Sequence, residues 1–300
     1  MHFSGSITAL ATPFTVDGAL DLDAWQRLIE RQLAAGTSAL VVAGSTGEAA
    51  ALEDEEYDTL LQRAVALVAG RVPVIAGTGL SNTAKTIRQT RRAAALGAAA
   101  ALVVTPPYVR PTQAGLIAHY RAVADEGGLP VILYNVPGRT GVDMQPEVAA
   151  ALAPHPMVVG LKEAVADPDR MAALLALKGP GFAILSGDDP TALRALEAGA
   201  DGVISVASNV VPAAFARLVA LGRAGEHDAA AGLDARLRPV YDFLGCEPNP
   251  IPAKALLAAM GIGHGLRLPL LPLGEAHAAD LAPVHERVLA LEVEALAVRR

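Results

Sequence analysis

The chain has 300 residues, 52% of them hydrophobic and 18% charged, which is enough apolar material for one large core or two ordinary ones and too much for a disordered chain. Its formal charge of −7, without a basic run, speaks against a nucleic-acid-binding face. Cys246 is the only cysteine, which excludes an intrachain disulfide and suits a reducing compartment.

The N-terminus begins Met1-His2-Phe3-Ser4 with no basic segment leading into an apolar one, so no secretory leader is expected. The longest charge-free run, between Arg92 and Arg110, is interrupted by Gly97, Pro106 and Pro107 and makes a poor membrane span, so a cytoplasmic protein is expected. Eight short apolar runs follow in order: Ile7–Ala11, Ala39–Val42, Val74–Ala76, Ala101–Val104, Val131–Tyr134, Val158–Leu161, Ala183–Leu185 and Val203–Val206. Runs of this length bounded by turn formers read as buried strands.

Between them the periodicity is helical over Leu22–Ala35, Glu53–Ala69 and Asn82–Leu96, with Gly36, Gly70 and Gly97 as stop signals. Further helices are predicted over Leu116–Asp125, Pro146–Leu152, Pro168–Ala176 and Pro190–Glu197. Strand–helix alternation implies an α/β fold with a parallel sheet. A doubly wound open sheet competes with a closed (β/α)8 TIM barrel, and eight evenly spaced units without a composition break favour closure. After Val206 the strand runs stop. Val211–Leu221 reads as the eighth barrel helix, and Asp228–Phe243, Pro252–Met260 and Glu275–Leu296 as helices beyond it. The expected division is a catalytic barrel over residues 1–224 and a C-terminal helical extension over residues 225–300.

Barrel enzymes carry their chemistry at the carboxyl ends of the strands. Those positions here are Thr12, Ser45-Thr46, Gly77-Thr78-Gly79, Thr105 to Tyr108, Tyr134-Asn135, Lys162-Glu163, Ser186-Gly187-Asp188 and Ile204-Ser205. They hold many hydroxyls, one lysine and no histidine. Lys162 ends the run Val158–Leu161 and is one of only four lysines in a chain that otherwise uses arginine. An ammonium taken out of water is costly, and a lysine that is partly neutral attacks carbonyls. The same stretch also suits a lysine whose stem is buried and whose head reaches water.

Gly44-Ser45-Thr46-Gly47-Glu48 is a glycine-bracketed turn whose hydroxyls suit a small carboxylate or phosphate, or simply cap a helix. Tyr134 would neighbour Lys162 in a barrel and could shuttle protons to an amine, or be a buried core tyrosine. Arg139 offers a planar fork for a carboxylate, or is a surface charge. Pro106-Pro107-Tyr108 reads more readily as an interface anchor than as a catalytic group. Gly77-Thr78-Gly79-Leu80-Ser81-Asn82 lacks the third glycine of a dinucleotide fingerprint. The seven histidines show no ligand spacing, so no metal is expected, and Asp188-Asp189 before Pro190 reads as a helix cap.

Taken in order, Gly44–Glu48, Val74–Gly79, Tyr134–Gly141, Gly160–Ala164, Leu185–Asp189, Gly202–Val206 and Glu247–Pro252 resemble the dihydrodipicolinate synthase family of pyruvate-dependent class I aldolases, a superfamily that includes N-acetylneuraminate lyase. The resemblance runs from about Gly5 to Pro269. It implies a lyase that needs no cofactor, because pyruvate forms a covalent imine on Lys162. By the same resemblance Tyr134 would pass protons, Ser45 would link Tyr134 to Tyr108, and Tyr108 would reach in from the neighbouring subunit. Thr46, the main chain of Ile204, and Gly187 would contact substrate, and Arg139 would bind the carboxylate of L-aspartate-4-semialdehyde. A homotetramer made of two tight dimers is implied, with no nucleic-acid or membrane partner.

Two departures stand out. Ser45 replaces the family's usual Thr and is the residue type of the sialic-acid lyase branch, whereas Arg139 and Ser186–Asp189 point back to the synthase. The positions matching the family's lysine-effector site are Ala49, Ala50, Asp54, Tyr57, Ser81, Lys85 and Pro107. Lys85 stands where an acidic partner for the effector's amine is expected, so weak or absent lysine feedback is predicted. Another pyruvate-dependent aldolase and a non-catalytic ligand sensor are the alternative functions.

Overall fold

A strand covered by helices on one side and by its own barrel on the other is buried on both faces, which is why these strands read as continuous apolar runs. The computed structural model describes residues 2–298. Among them, eight parallel strands hydrogen-bond in chain order and close, β8 against β1. They are β1 Gly5–Ala9, β2 Ala39–Val42, β3 Val74–Gly77, β4 Ala100–Val104, β5 Val131–Asn135, β6 Val158–Glu163, β7 Ala183–Ser186 and β8 Gly202–Ser205.

The helices are α1 Leu22–Ala35, α2 Asp54–Val68, α3 Thr83–Ala95, α4 Gln113–Glu126, α5 Pro137–Thr140, α6 Pro146–Leu152, α7 Pro168–Leu175, α8 Ala192–Glu197, α9 Pro212–Ala224, α10 His227–Leu244, α11 Ile251–Ala259 and α12 Ala278–Val298. Several boundaries move for local reasons. Thr112 accepts from Gly115 N, so α4 starts earlier than its apolar periodicity suggests. Ala69, not Gly70, takes the left-handed position that ends α2. Asp189–Thr191 forms a short 3-10 turn ahead of α8, and Pro137–Thr140 adds a four-residue helix shortly after β5.

Two apolar layers result. Ile7, Val41, Ile75, Leu102, Ile132, Leu185 and Ile204 fill the barrel interior. The outward residues of the same strands, such as Val42, Val103, Leu133 and Leu161, join the helices in a second, larger cluster. Closure needs a glycine at one seam: a Cβ on Gly202 would lie 2.3 Å from the Gly5 carbonyl oxygen. The β5–β6 register shifts at Val131/Ile132. Val159, the residue this register skips, belongs to the interior cluster, and Lys162 shares the interior face with Tyr134 beyond it.

The helices after α9 return to the barrel. Helix α12 lies on α9 and α10, and its buried Glu292 accepts from Ala213 N at 3.0 Å and Ala214 N at 2.9 Å at the start of α9. No helix among the described residues is long and apolar enough to cross a membrane.

Candidate active site

Lys162 is the last inward residue of β6, and its side chain is buried, with 4% of the residue's surface exposed. Tyr134, its register partner on β5, is buried beside it, and the lysine Nζ lies 4.3 Å from the centroid of the phenol ring. A primary amine and a phenol therefore share the dry end of the barrel. Gly187 follows β7 on the other flank and donates its N–H to the Glu163 carbonyl at 2.7 Å. A Cβ there would lie 2.7 Å from Lys162 Cε and 3.0 Å from its Cγ, so the position leaves room for the lysine stem. Ile204, on β8, is buried in the interior layer.

A cavity of about 440 Å³ opens over this end, lined by Gly44, Ser45, Tyr134, Val136, Arg139 and Thr140 among others. It continues past Ala49, Ala50, Tyr57, Ser81 and Pro107, five of the seven positions matched to an effector site. The Ser45-Thr46 turn follows β2. Thr12 Oγ1 donates to Gly47 O at 2.7 Å and so ties the turn to the segment after β1. Thr46 is buried, and its hydroxyl accepts from Asn249 Nδ2 at 3.0 Å. Arg139, on α5, donates from Nη2 to the Asn249 carbonyl at 2.7 Å. One residue of the α10–α11 connection thus bridges the turn and the guanidinium.

Tyr108 is not brought to this group within the chain. It sits at φ 72° after β4 with 92% of its surface exposed. The Asp188-Asp189 expectation needs correction. Asp188 stands at the N-cap position of the 3-10 turn Asp189–Thr191 but makes no side-chain cap bond, and Asp189 Oδ2 turns instead to Val206 N at 3.0 Å and Ala207 N at 2.7 Å, joining the loops after β7 and β8. Among the described residues, no three His, Cys, Asp or Glu side chains gather as a metal would require.

Three contributors were not singled out from sequence: Asn249, Lys254 and Arg267, all from the C-terminal part of the chain. Within the motif Glu247–Pro252 no local pattern marks Asn249. The signal for Lys254 was a rare lysine inside the apolar stretch Ile251–Ala259.

The chain is thus a closed parallel barrel with a buried lysine beside a tyrosine at the carboxyl ends of its strands. The dihydrodipicolinate synthetase family matches residues 2–286. A 4-hydroxy-tetrahydrodipicolinate synthase of Stenotrophomonas maltophilia is 66% identical over 97% of this chain and 98% of its own length. Among solved structures, the chloride-inhibited dihydrodipicolinate synthase of Acinetobacter baumannii complexed with pyruvate superposes with a TM-score of 0.93 at 42% identity, covering 95% of this chain and 98% of that one. A monomeric dihydrodipicolinate synthase variant superposes with a TM-score of 0.93 at 42% identity, covering 95% of this chain and 97% of that one. The chain belongs to the dihydrodipicolinate synthetase family and is a lyase.

Proposed function

We propose that this chain condenses pyruvate with L-aspartate-4-semialdehyde to give 4-hydroxy-tetrahydrodipicolinate, the activity named for its curated relatives. The Lys162 amine attacks the ketone carbon of pyruvate, and loss of water leaves an imine whose protonated nitrogen draws electrons. A methyl proton leaves, and the resulting enamine attacks the aldehyde. The amine of the second substrate then displaces Lys162 and closes the ring, which regenerates the free lysine. The lysine is the electron sink, so the scheme needs no other cofactor.

The observation that carries this reading is the buried Lys162 amine 4.3 Å from the Tyr134 ring centroid. Tyr134 passes the protons of carbinolamine formation and dehydration. Thr46 and the main chain of Ile204 hold the pyruvate carboxylate beside Gly187, and Arg139 takes the carboxylate of the semialdehyde. Ser45 carries the hydroxyl that connects Tyr134 to Tyr108. The exposure of Tyr108 supports its service to a second copy of the chain in a tight dimer, two of which make a tetramer.

The division into residues 1–224 and 225–300, a cytoplasmic location and insensitivity to lysine belong to the same proposal. The test is a coupled assay of purified protein with both substrates, run beside a panel of sugar acids and hydroxy-oxo acids. Turnover confined to the semialdehyde supports the reading. Turnover of a panel member with none of the semialdehyde moves the protein to another aldolase activity.

A further inference from the structure

Lys162 and Tyr134 face each other inside the barrel, and the residue after each points outward into the helical layer. Those residues, Asn135 and Glu163, are themselves register partners and almost wholly buried, at 0% and 1% exposure. Asn135 Nδ2 donates to both Glu163 oxygens, at 3.0 and 3.2 Å, and to Asp143 Oδ1 at 2.9 Å. Arg170 Nε donates to Glu163 Oε2 at 2.7 Å, and its Nη1 donates to Asp143 Oδ2 at 3.0 Å. The four side chains close a ring. Two main-chain donors anchor it: Val165 N to Glu163 Oε1 at 2.8 Å and Met144 N to Asn135 Oδ1 at 2.9 Å.

Holding β5 against β6 does not require this. Two residues earlier on the same outward face, Leu133 and Leu161 form the equivalent register pair and join the apolar outer cluster. Buried ion pairs are frequently no more stabilising than apolar side chains of similar size, so their use at this level calls for a reason other than stability. What distinguishes this level from the one before it is the reacting pair on the other side of the two strands. Apolar contact tolerates sliding, whereas a closed ring of charge-assisted hydrogen bonds admits one separation and one register.

We propose that Asn135, Glu163, Asp143 and Arg170 are positioning residues that fix the register and spacing of Lys162 and Tyr134 from behind, in the reaction read above for that pair, on which this inference rests. None of the four touches substrate. They act by holding the amine and the phenol at proton-passing distance, where a displacement of about 1 Å costs about 100-fold in rate.

The experiment replaces Asn135 and Glu163 together by leucine, which copies the Leu133/Leu161 level and removes the ring while retaining strand contact. The readouts are the melting temperature, active sites counted by borohydride trapping with pyruvate, kcat per active site and the pyruvate KM. The expected result is kcat per site down about 10- to 100-fold, a slowed trapping rate and KM within about threefold. A merely structural ring would lower the folded fraction and leave kcat per folded site unchanged, and that result overturns the inference. If the double variant does not fold, Asp143→Asn decides: it sits at the exposed side of the ring and should lower kcat about 3- to 10-fold at unchanged KM, while parental kcat overturns the inference. Absence of an adduct in the unsubstituted protein would instead remove the Lys162 reading itself, and the inference with it.

Discussion

Lys254 forms a buried ion pair with Glu48, although 206 residues separate them. Glu48 ends the Ser45-Thr46 turn at φ 52°, and its second oxygen accepts from Arg267 N at 3.1 Å. The Lys254 ammonium also lies 4.2 Å from the Phe14 ring centroid. The C-terminal part of the chain therefore holds the turn through both Glu48 oxygens, and through Asn249 at Thr46.

Removing one partner of a buried pair leaves an uncompensated charge, so Lys254→Met should lower stability by about 3–5 kcal/mol. A fall of about 10 °C in melting temperature is expected, together with a raised pyruvate KM from the loosened turn. Adding Glu48→Gln removes the orphaned charge and should recover more than half of the thermal loss. A double variant no more stable than Lys254→Met would show that the pair is not the cause.

Gly187→Ala tests the space beside Lys162. The added methyl meets a flexible lysine stem, which can move, so the melting temperature should change by no more than about 3 °C. The lysine moves away from Tyr134, and the rate of pyruvate trapping should fall about 100-fold. A normal trapping rate in a folded Gly187→Ala protein would mean that the stem has more room than its contacts indicate.

Acid sensitivity should trace in part to His119. It is buried on α4, its Nδ1 is 2.9 Å from the Thr83 hydroxyl, and its Nε2 has no partner. Burial pulls the imidazole down to about 4 from its ordinary 6.5. The unfolded chain then binds the proton first, so the stability contributed by neutral His119 is complete above pH 6.5 and is lost as pH falls towards 4. Glu163, Asp189 and Glu292, pushed upward by burial, act in the opposite sense. Comparison with His119→Phe isolates the imidazole. Between about pH 7.5 and about pH 5 the parent should lose about 2 kcal/mol relative to the variant, roughly 4–8 °C. Parallel melting curves would contradict this.

Lys85, exposed in the first turn of α3, follows Ser81, which lines the cavity arm together with Ala49, Ala50, Tyr57 and Pro107. Millimolar lysine should leave the initial rate unchanged, and Lys85→Glu should introduce measurable inhibition. Half-inhibition of the unsubstituted protein would overturn the expected insensitivity.

The barrel was legible because its strands are buried on both faces and announce themselves as apolar runs. The ends of those strands were less so. Asn135, Glu163, Gly77 and Ser186 are polar or small, yet the ladder continues through them, because pairing there is set by the neighbouring strand rather than by hydropathy. Lys162, Tyr134 and the Ser45-Thr46 turn could be brought together by counting strands. The Asn135–Glu163–Arg170–Asp143 ring could not, since Asp143 and Arg170 reach it from the segment after α5 and the first turn of α7, outside the strand pattern. Lys254 and Arg267 on Glu48, and Asn249 on Thr46, join positions more than 200 residues apart, and no local pattern carries such a contact. Helix α5 has no sequence signal of its own, because its four residues, Pro137 to Thr140, are too few to show a helical period.

The most direct test of the central claim is reduction with borohydride in the presence of pyruvate, followed by peptide mapping. The account predicts one reduced pyruvyl group per chain, carried by the peptide that contains Lys162 and absent from Lys162→Ala. An adduct on Lys254 or any other lysine, or an equal mass gain in Lys162→Ala, would contradict it.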